Sequence, residues 1–230
     1  MLHYITANDR LTPHITMQSS TEIMKIPLFP LGTTLYPAGV IALKIFEVRY
    51  LDMIKTCLRE NAPFGVVTLD QGSEVRVAGQ NVEFHKKGTL ATIIHFDAVQ
   101  PNLFMIRAQG GARFEIKRPE LATNGLWWAE IELISPDEEM QIPAELQPSA
   151  QALKKILDTI NLQEIPEDEQ PFLKPYLLND CAWVANRCAE LLDLPAAQKQ
   201  HLLTMENPRL RLDMIQDILE DMGLFKDETN

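Results

Sequence analysis

Glycine and charge divide this chain at the same place, and that division constrains its fold more than any motif does. Nine of the ten glycines lie at or before Gly125, and only Gly223 follows. Residues 1–135 hold 13 basic and 13 acidic side chains, while residues 136–230 hold 8 and 19. The entire net charge of −11 therefore falls in the second part. Glycine serves turns and close backbone approaches and weakens helix interiors. A β-rich first part and an acidic helical second part follow, an α+β arrangement. With 46% hydrophobic and 23% charged residues over 230 positions, the chain has ordinary globular usage and enough length for a sizeable core.

The hydrophobic pattern supplies the elements. Residues 1–22 are polar and weakly periodic and are expected to form a mobile tail, followed by a β-rich region over 23–136 and a helical one over 137–230. Residues 24–31 read as a strand, with Pro27 and Pro30 placing it at an edge or making it irregular, because proline cannot donate to a ladder. A strand over 40–46 leads into a helix over 48–60, where Tyr50, Leu51, Ile54 and Leu58 recur at helical spacing. Strands follow over 64–69, 89–99, 103–109 and 126–134, with an excursion over 70–87 and a hairpin at Pro101-Asn102. Several strands with one early helix suggest a closed or half-closed barrel-like sheet.

Helices begin near Pro143. Asn179 or Asp180 can cap one with an apolar stripe of Cys181, Val184, Cys188, Leu191 and Leu192. Pro195 suits the first turn of another. Asn207-Pro208 opens a third, with Leu210, Met214, Ile218, Leu219 and Met222 as its stripe and Gly223 as its stop. The polar stretch 163–170 reads as a kink or linker.

Composition excludes several functions. Nucleic-acid binders carry a basic face, whereas here one part is neutral and the other acidic, and the longest basic cluster is Lys86-Lys87. No nucleic-acid partner is expected. No run approaches the ~20 apolar residues of a membrane span. The first 22 residues, interrupted by His3, Asp9, His14 and Glu22, lack the organisation of a signal peptide. Three cysteines without a C-x-x-C pair fit a cytoplasmic setting, and Cys57, Cys181 and Cys188 read as buried small hydrophobes.

Chemistry is scarce. No Gly-Lys dipeptide occurs, so a P-loop is excluded. None of the five serines sits in Gly-x-Ser-x-Gly. Ser149 and Lys154 are the only Ser-Lys candidate, and five residues apart on a helix they point to different sides. His95, in an apolar strand, reads as a hydrogen-bonded structural residue, or as the base of a site with a nearby carboxylate. Glu167-Asp168-Glu169 lacks the spacing of a calcium loop and reads as a solvated linker. No catalytic residue, metal ligand or cofactor is expected. Glu47 and Arg49 read as a helix start anchored by Phe46 and Tyr50. Trp127 and Trp128, adjacent on a strand, face opposite sides. One enters the core, and the other suits packing on the helical part or contact with an apolar peptide.

The run Ile26-Pro27-Leu28-Phe29-Pro30-Leu31-Gly32, continuing through Pro37-Ala38-Gly39 to Phe46-Glu47-Val48-Arg49-Tyr50, resembles the opening of the Lon protease N-terminal domain family. Gly88-Thr89-Leu90-Ala91 and the segment from Leu191 to Leu203 resemble later parts of the same domain, so the resemblance runs from about Met24 to Leu224. It implies a PUA-like β pseudo-barrel followed by a C-terminal helical subdomain, and a role in recognising unfolded substrates. The ATPase and Ser-Lys peptidase that follow this domain in Lon do not occur in the 230 residues, so a non-catalytic module is expected. Its partners would be unfolded or apolar polypeptide segments, met through Phe29, Tyr36, Trp127 and Trp128. Hydrolysis at an unrecognised site and RNA binding through the PUA-like barrel are the alternatives, and the acidic balance opposes the second.

Overall fold

The computed structural model describes residues 23–74, 81–163, 165–166 and 169–223. The expected tail over 1–22 and the Glu167-Asp168 part of the acidic run lie outside the described residues. Six strands come first: β1 (Ile23–Leu31), β2 (Val40–Ile45), β3 (Phe64–Gln71), β4 (Glu83–Gln100), β5 (Leu103–Leu121) and β6 (Trp127–Leu133), with α1 (Val48–Glu60) between β2 and β3. A 3-10 turn at Ala144–Leu146 then leads to α2 (Gln147–Leu162), α3 (Cys181–Leu191), α4 (Ala196–Thr204) and α5 (Pro208–Asp221). The strand order is β2-β5-β4-β3-β1-β6, and β5 also pairs with β6. That last pairing closes β1, β3, β4, β5 and β6 into a ring, with β2 outside it on the first half of β5. The fold is an α+β pseudo-barrel followed by helices.

β1 is not the edge strand its prolines suggest. It pairs antiparallel with β6 over Ile23 to Leu28 and parallel with β3 over Leu28 to Leu31. Pro27 and Pro30 thus lie in different halves, each with a partner on one side only. Each missing N–H can face the unpaired side without breaking a ladder. From Ile26 onward every residue of β1 is buried, because both faces are covered. Ile26 and Leu28 join Phe114 and Ile131 in one cluster, while Phe29 and Leu31 join Tyr50 and Ile54 of α1 in another. A continuous apolar run, not alternation, is the signature of a strand buried on both sides.

β5 likewise outruns its expected end at residue 109, passing through Gly110 and Gly111 to Leu121. The glycine at 110 answers a close approach, since a Cβ there would lie 2.1 Å from the carbonyl oxygen of Tyr36. The same contact is stitched by Ala38 N–H donating to Gly110 O and Gly110 N–H donating to Gly39 O, both at 2.8 Å. The two ends of the expected excursion are strand as well, with β3 reaching Gln71 and β4 starting at Glu83, while its residues 75–80 lie outside the described residues.

Among the helices, Asp180 caps α3 by accepting from Trp183 N–H, and Asn207 caps α5 by accepting from Arg209 and Leu210 N–H. Pro195 is the N-cap of α4 rather than a residue of its first turn. On α5 the buried face is Leu212, Ile215 and Leu219 together with Arg211, whereas Leu210, Met214 and Met222 of the expected stripe are exposed. All three cysteines are buried and free.

Polar groups knit the helices to the barrel. Tyr36, fully buried, sits in the helical core cluster and donates its hydroxyl to Lys199 O at 2.6 Å. Asp137 accepts from Arg113 at 2.6 Å and from Arg211 at 2.7 Å, and both arginines also donate to Met205 O. Arg187 donates to Pro37 O and pairs with Glu190 at 2.8 Å. Burial pushes the Glu190 carboxyl up to about 7 against the pull of Arg187 and Lys199.

Candidate functional site

An apolar groove of about 340 Å³ runs between α1 and the β1–β6 pair. Its walls include Met24 and Pro27 of β1, Met53 and Cys57 of α1, Leu126 just before β6 and Trp128 within it. The charged groups Lys25, Arg49, Asp52 and Glu60 also border it, two of each sign. The groove exists because α1 packs its buried residues Tyr50, Leu51, Met53, Ile54 and Cys57 on the sheet. β6 then presents Trp128 opposite Pro27 in the β1–β6 register.

Arg49 fixes the start of α1 against this wall. Its guanidinium donates to Gly125 O at 2.7 Å, pairs with Glu47 at 3.0 Å, and lies 4.4 Å over the Tyr50 ring. Tyr50 in turn stacks on Phe29 with ring centres 4.0 Å apart. The segment from Phe46 to Tyr50 is therefore a structural clamp. Tyr50 anchors it as expected, but Phe46 is exposed. Burial pushes the Cys57 thiol up to about 11, so at neutral pH the groove offers a protonated sulfur and no thiolate nucleophile.

The four residues singled out from the sequence separate in the structure. Phe29 and Tyr36 are core residues and present no binding surface. Their apolar character serves the clamp in one case and the barrel–helix join in the other. Trp127 and Trp128 do face opposite ways, yet each is half-buried and neither stands fully outward. Trp127 meets Phe84 edge-on with centres 5.2 Å apart, and Trp128 packs beside the α1 cluster and lines the groove. Met24, Met53 and Thr56 are groove residues that sequence reasoning missed. Their strand and helix were legible, but not that the two elements stand side by side.

Neither hydrolytic candidate assembles. Ser149 is buried and its Oγ lies 3.2 Å from Gln216 Oε1, whereas Lys154 is exposed and pairs with Asp158 at 2.7 Å. His95 is exposed on β4, not the hydrogen-bonded interior residue its strand suggested. Among the described residues no group of three or more His, Cys, Asp or Glu could hold a metal ion. Among them, too, no helix is long and apolar enough to cross a membrane. A second cleft of about 460 Å³ lies by the join, bordered by Arg113, Glu138 and Glu206.

The family model described as the ATP-dependent protease La (LON) substrate-binding domain matches residues 25–221. The crystal structure of a Lon N-terminal domain protein from Xanthomonas campestris superposes with a TM-score of 0.66 at 30% identity, covering 85% of this chain and 98% of that one. The N-terminal domain of Lon protease from the Mycobacterium avium complex shares the fold, with a TM-score of 0.58 at 16% identity over 86% of this chain and 99% of that one. A Lon protease from Anaeromyxobacter dehalogenans is 24% identical over 198 residues, which are 84% of this chain and 23% of that protein's length. The chain thus spans about a quarter of the curated relative it matches.

Proposed function

This chain belongs to the LON substrate-binding domain family, and from that premise we propose that it binds exposed apolar segments of unfolded polypeptides in the groove beside Trp128, without itself breaking bonds. The observation that carries the reading is the groove's chemistry. An apolar floor with an aromatic wall removes aliphatic and aromatic side chains from water at about 25 cal/mol per Å². Border charges of both signs give no preference for a charged ligand. Such a surface gives contact in the micromolar range, weak enough to accept many sequences.

The test uses carbamidomethylated α-lactalbumin, a chain held unfolded by its blocked thiols. It should bind with micromolar affinity and change the tryptophan fluorescence of this protein. Trp128→Ala should weaken binding at least tenfold. Because Trp128 also packs on the α1 cluster, Thr56→Arg provides a second variant, filling the groove from a half-buried helix position. Unchanged affinity in a folded Thr56→Arg protein would remove the groove from the reading.

A further inference from the structure

We infer that the outer half of β4, residues 92–100, is a second polypeptide-binding element, which captures an extended apolar segment as an added strand. This deepens the polypeptide-binding reading and rests on it, but uses a different surface and a different chemistry.

The two halves of β4 have different neighbours. The inner half pairs with β3 from Glu83 to Ala91 and gains β5 on its other side from Lys87, so Gly88 to Ala91 are paired on both sides. β3 begins at Phe64, opposite Ala91, so beyond that point β4 pairs with β5 alone, out to Gln100 opposite Leu103. Among the described residues no other backbone hydrogen bond reaches residues 92–100. One side of the ladder is thus open along Thr92-Ile93-Ile94-His95-Phe96-Asp97-Ala98-Val99-Gln100.

Its side chains are those of a strand made to be covered. Ile94, Phe96 and Val99 are 41%, 38% and 51% exposed, and Asp97 is the only carboxylate in the stretch. Sheet edges in native proteins are normally blunted by lysine, proline, bulges or shortness. β2, the other open edge of this three-stranded tip, follows that rule: it is six residues long and carries Lys44. Outer β4 has neither lysine nor proline, although it does carry register shifts near Ile93–His95 and Ala98–Gln100. Those shifts divide the edge into short pairing stretches, suited to a short segment and not to a long fixed partner.

Size and charge choose the occupant. Nine strand residues extend about 30 Å, and a strip roughly 10 Å wide buries ~300 Å² per partner. A stable dimer needs ~800 Å² on each side, and a second copy would bring another net charge of −11. A single extended segment fits instead, with main-chain bonds giving affinity and Ile94, Phe96 and Val99 giving preference for β-branched or aromatic residues.

The probe is a capped eight-residue peptide alternating valine and threonine, added to the full chain while amide exchange is followed by NMR. At saturating peptide the amides of 92–100 that face the open side should exchange at least tenfold more slowly. N-methylation of one alternate set of peptide amides should cost at least tenfold in affinity, and of the other set much less, because only one set faces β4. Ile94→Lys combined with Phe96→Lys should also weaken binding tenfold. The peptide experiments decide the matter if that variant fails to fold.

Four results would overturn the inference: no protection at millimolar peptide, equal tolerance of both N-methyl sets, slow exchange already present in the dilute free chain, or protection that grows with chain concentration alone. The last two would assign the edge to this chain itself or to a second copy. If carbamidomethylated α-lactalbumin still binds and responds to Thr56→Arg while these amides stay unprotected, the edge fails and the groove stands. If the unfolded protein does not bind at all, the polypeptide-binding reading itself fails.

Discussion

The strand part and the helical part are held together by opposite means. Inside the strand part the buried residues are almost wholly apolar, in two clusters on the two sides of β1. The helical part, which carries the whole acid surplus, is the one that buries cations. Arg187 and Arg211 are each 1% exposed, and Arg113 enters the join from β5. Each is engaged by backbone carbonyls at loop and helix ends: Pro37 for Arg187, Leu203 and Met205 for Arg113, and Met205 for Arg211. A planar guanidinium with five donors satisfies several such oxygens at once. Asp137 and Glu190 go inside with Arg187 and Arg211, so the buried charges of the helical part cancel and its acid surplus stays at the surface. An acidic composition therefore describes a surface here, and says little about the interior.

The largest effect should come from removing the carboxylate that Arg113 and Arg211 share at this join. Asp137→Ala leaves Arg113 and Arg211 buried without a counter-charge, and breaking such a pair from one side costs about 3–5 kcal/mol. Urea unfolding should show that loss, with both parts unfolding together. Lys25→Ala, which removes an exposed pair with Glu120, should change stability by less than about 0.5 kcal/mol. If Asp137→Ala cost no more than Lys25→Ala, the parts would be joined by apolar contact alone and the contrast between them would collapse.

Those buried arginines also explain where the sequence misleads. On α5 the expected stripe of Leu210, Met214, Ile218, Leu219 and Met222 shares only Leu219 with the buried face of Leu212, Ile215 and Leu219, and that buried face contains Arg211. Reading charge as exposure selects the wrong face, because nothing local announces that Asp137, 74 residues away, will pair with it. Proline at 27 and 30 misled in the same way. Each was read for its local effect, and each sits beside a partner strand distant in sequence. What depends on local chemistry alone was legible: α1 over Val48–Glu60, the Asn207 cap before Pro208, the buried cysteines, and the opposed faces of Trp127 and Trp128. The groove was not, because it is made by two elements whose adjacency only the closed sheet decides.

A middle-sized effect tests the second ion pair of the join. The Glu190 carboxyl is held at about 7, against an ordinary 4.5, chiefly because burial penalises its charged form. Between those two values the folded chain keeps a proton that the unfolded chain has released. Its contribution is therefore complete below about pH 4.5 and is lost as pH rises through 7. Stability should fall by about 1–2 kcal/mol from pH 5.5 to 8.5, allowing for partial contact with water. Urea midpoints across that range, with the carboxyl carbon of Glu190 followed by NMR, would show it. Titration of that carbon near 4.5 would instead mean that Arg187 outweighs burial, making the pair a permanent one.

A smaller effect should come from one hydroxyl, that of Tyr36, whose ring crosses from the strand part into the helical core. Tyr36→Phe keeps the ring among Leu202, Val184 and their neighbours and removes only the hydroxyl that donates to Lys199 O. In an α-helix the carbonyl at position 199 also accepts from the amide four residues on, so it is not orphaned by the change. The cost should be that of one neutral hydrogen bond, about 1 kcal/mol. Tyr36→Ala should cost 3–5 kcal/mol by opening a cavity at the seam. The ratio of the two losses, read from urea unfolding, separates packing from hydrogen bonding at this crossing. A Phe variant as damaged as the Ala variant would make the hydroxyl, and not the ring, the group that seats the helices on the barrel.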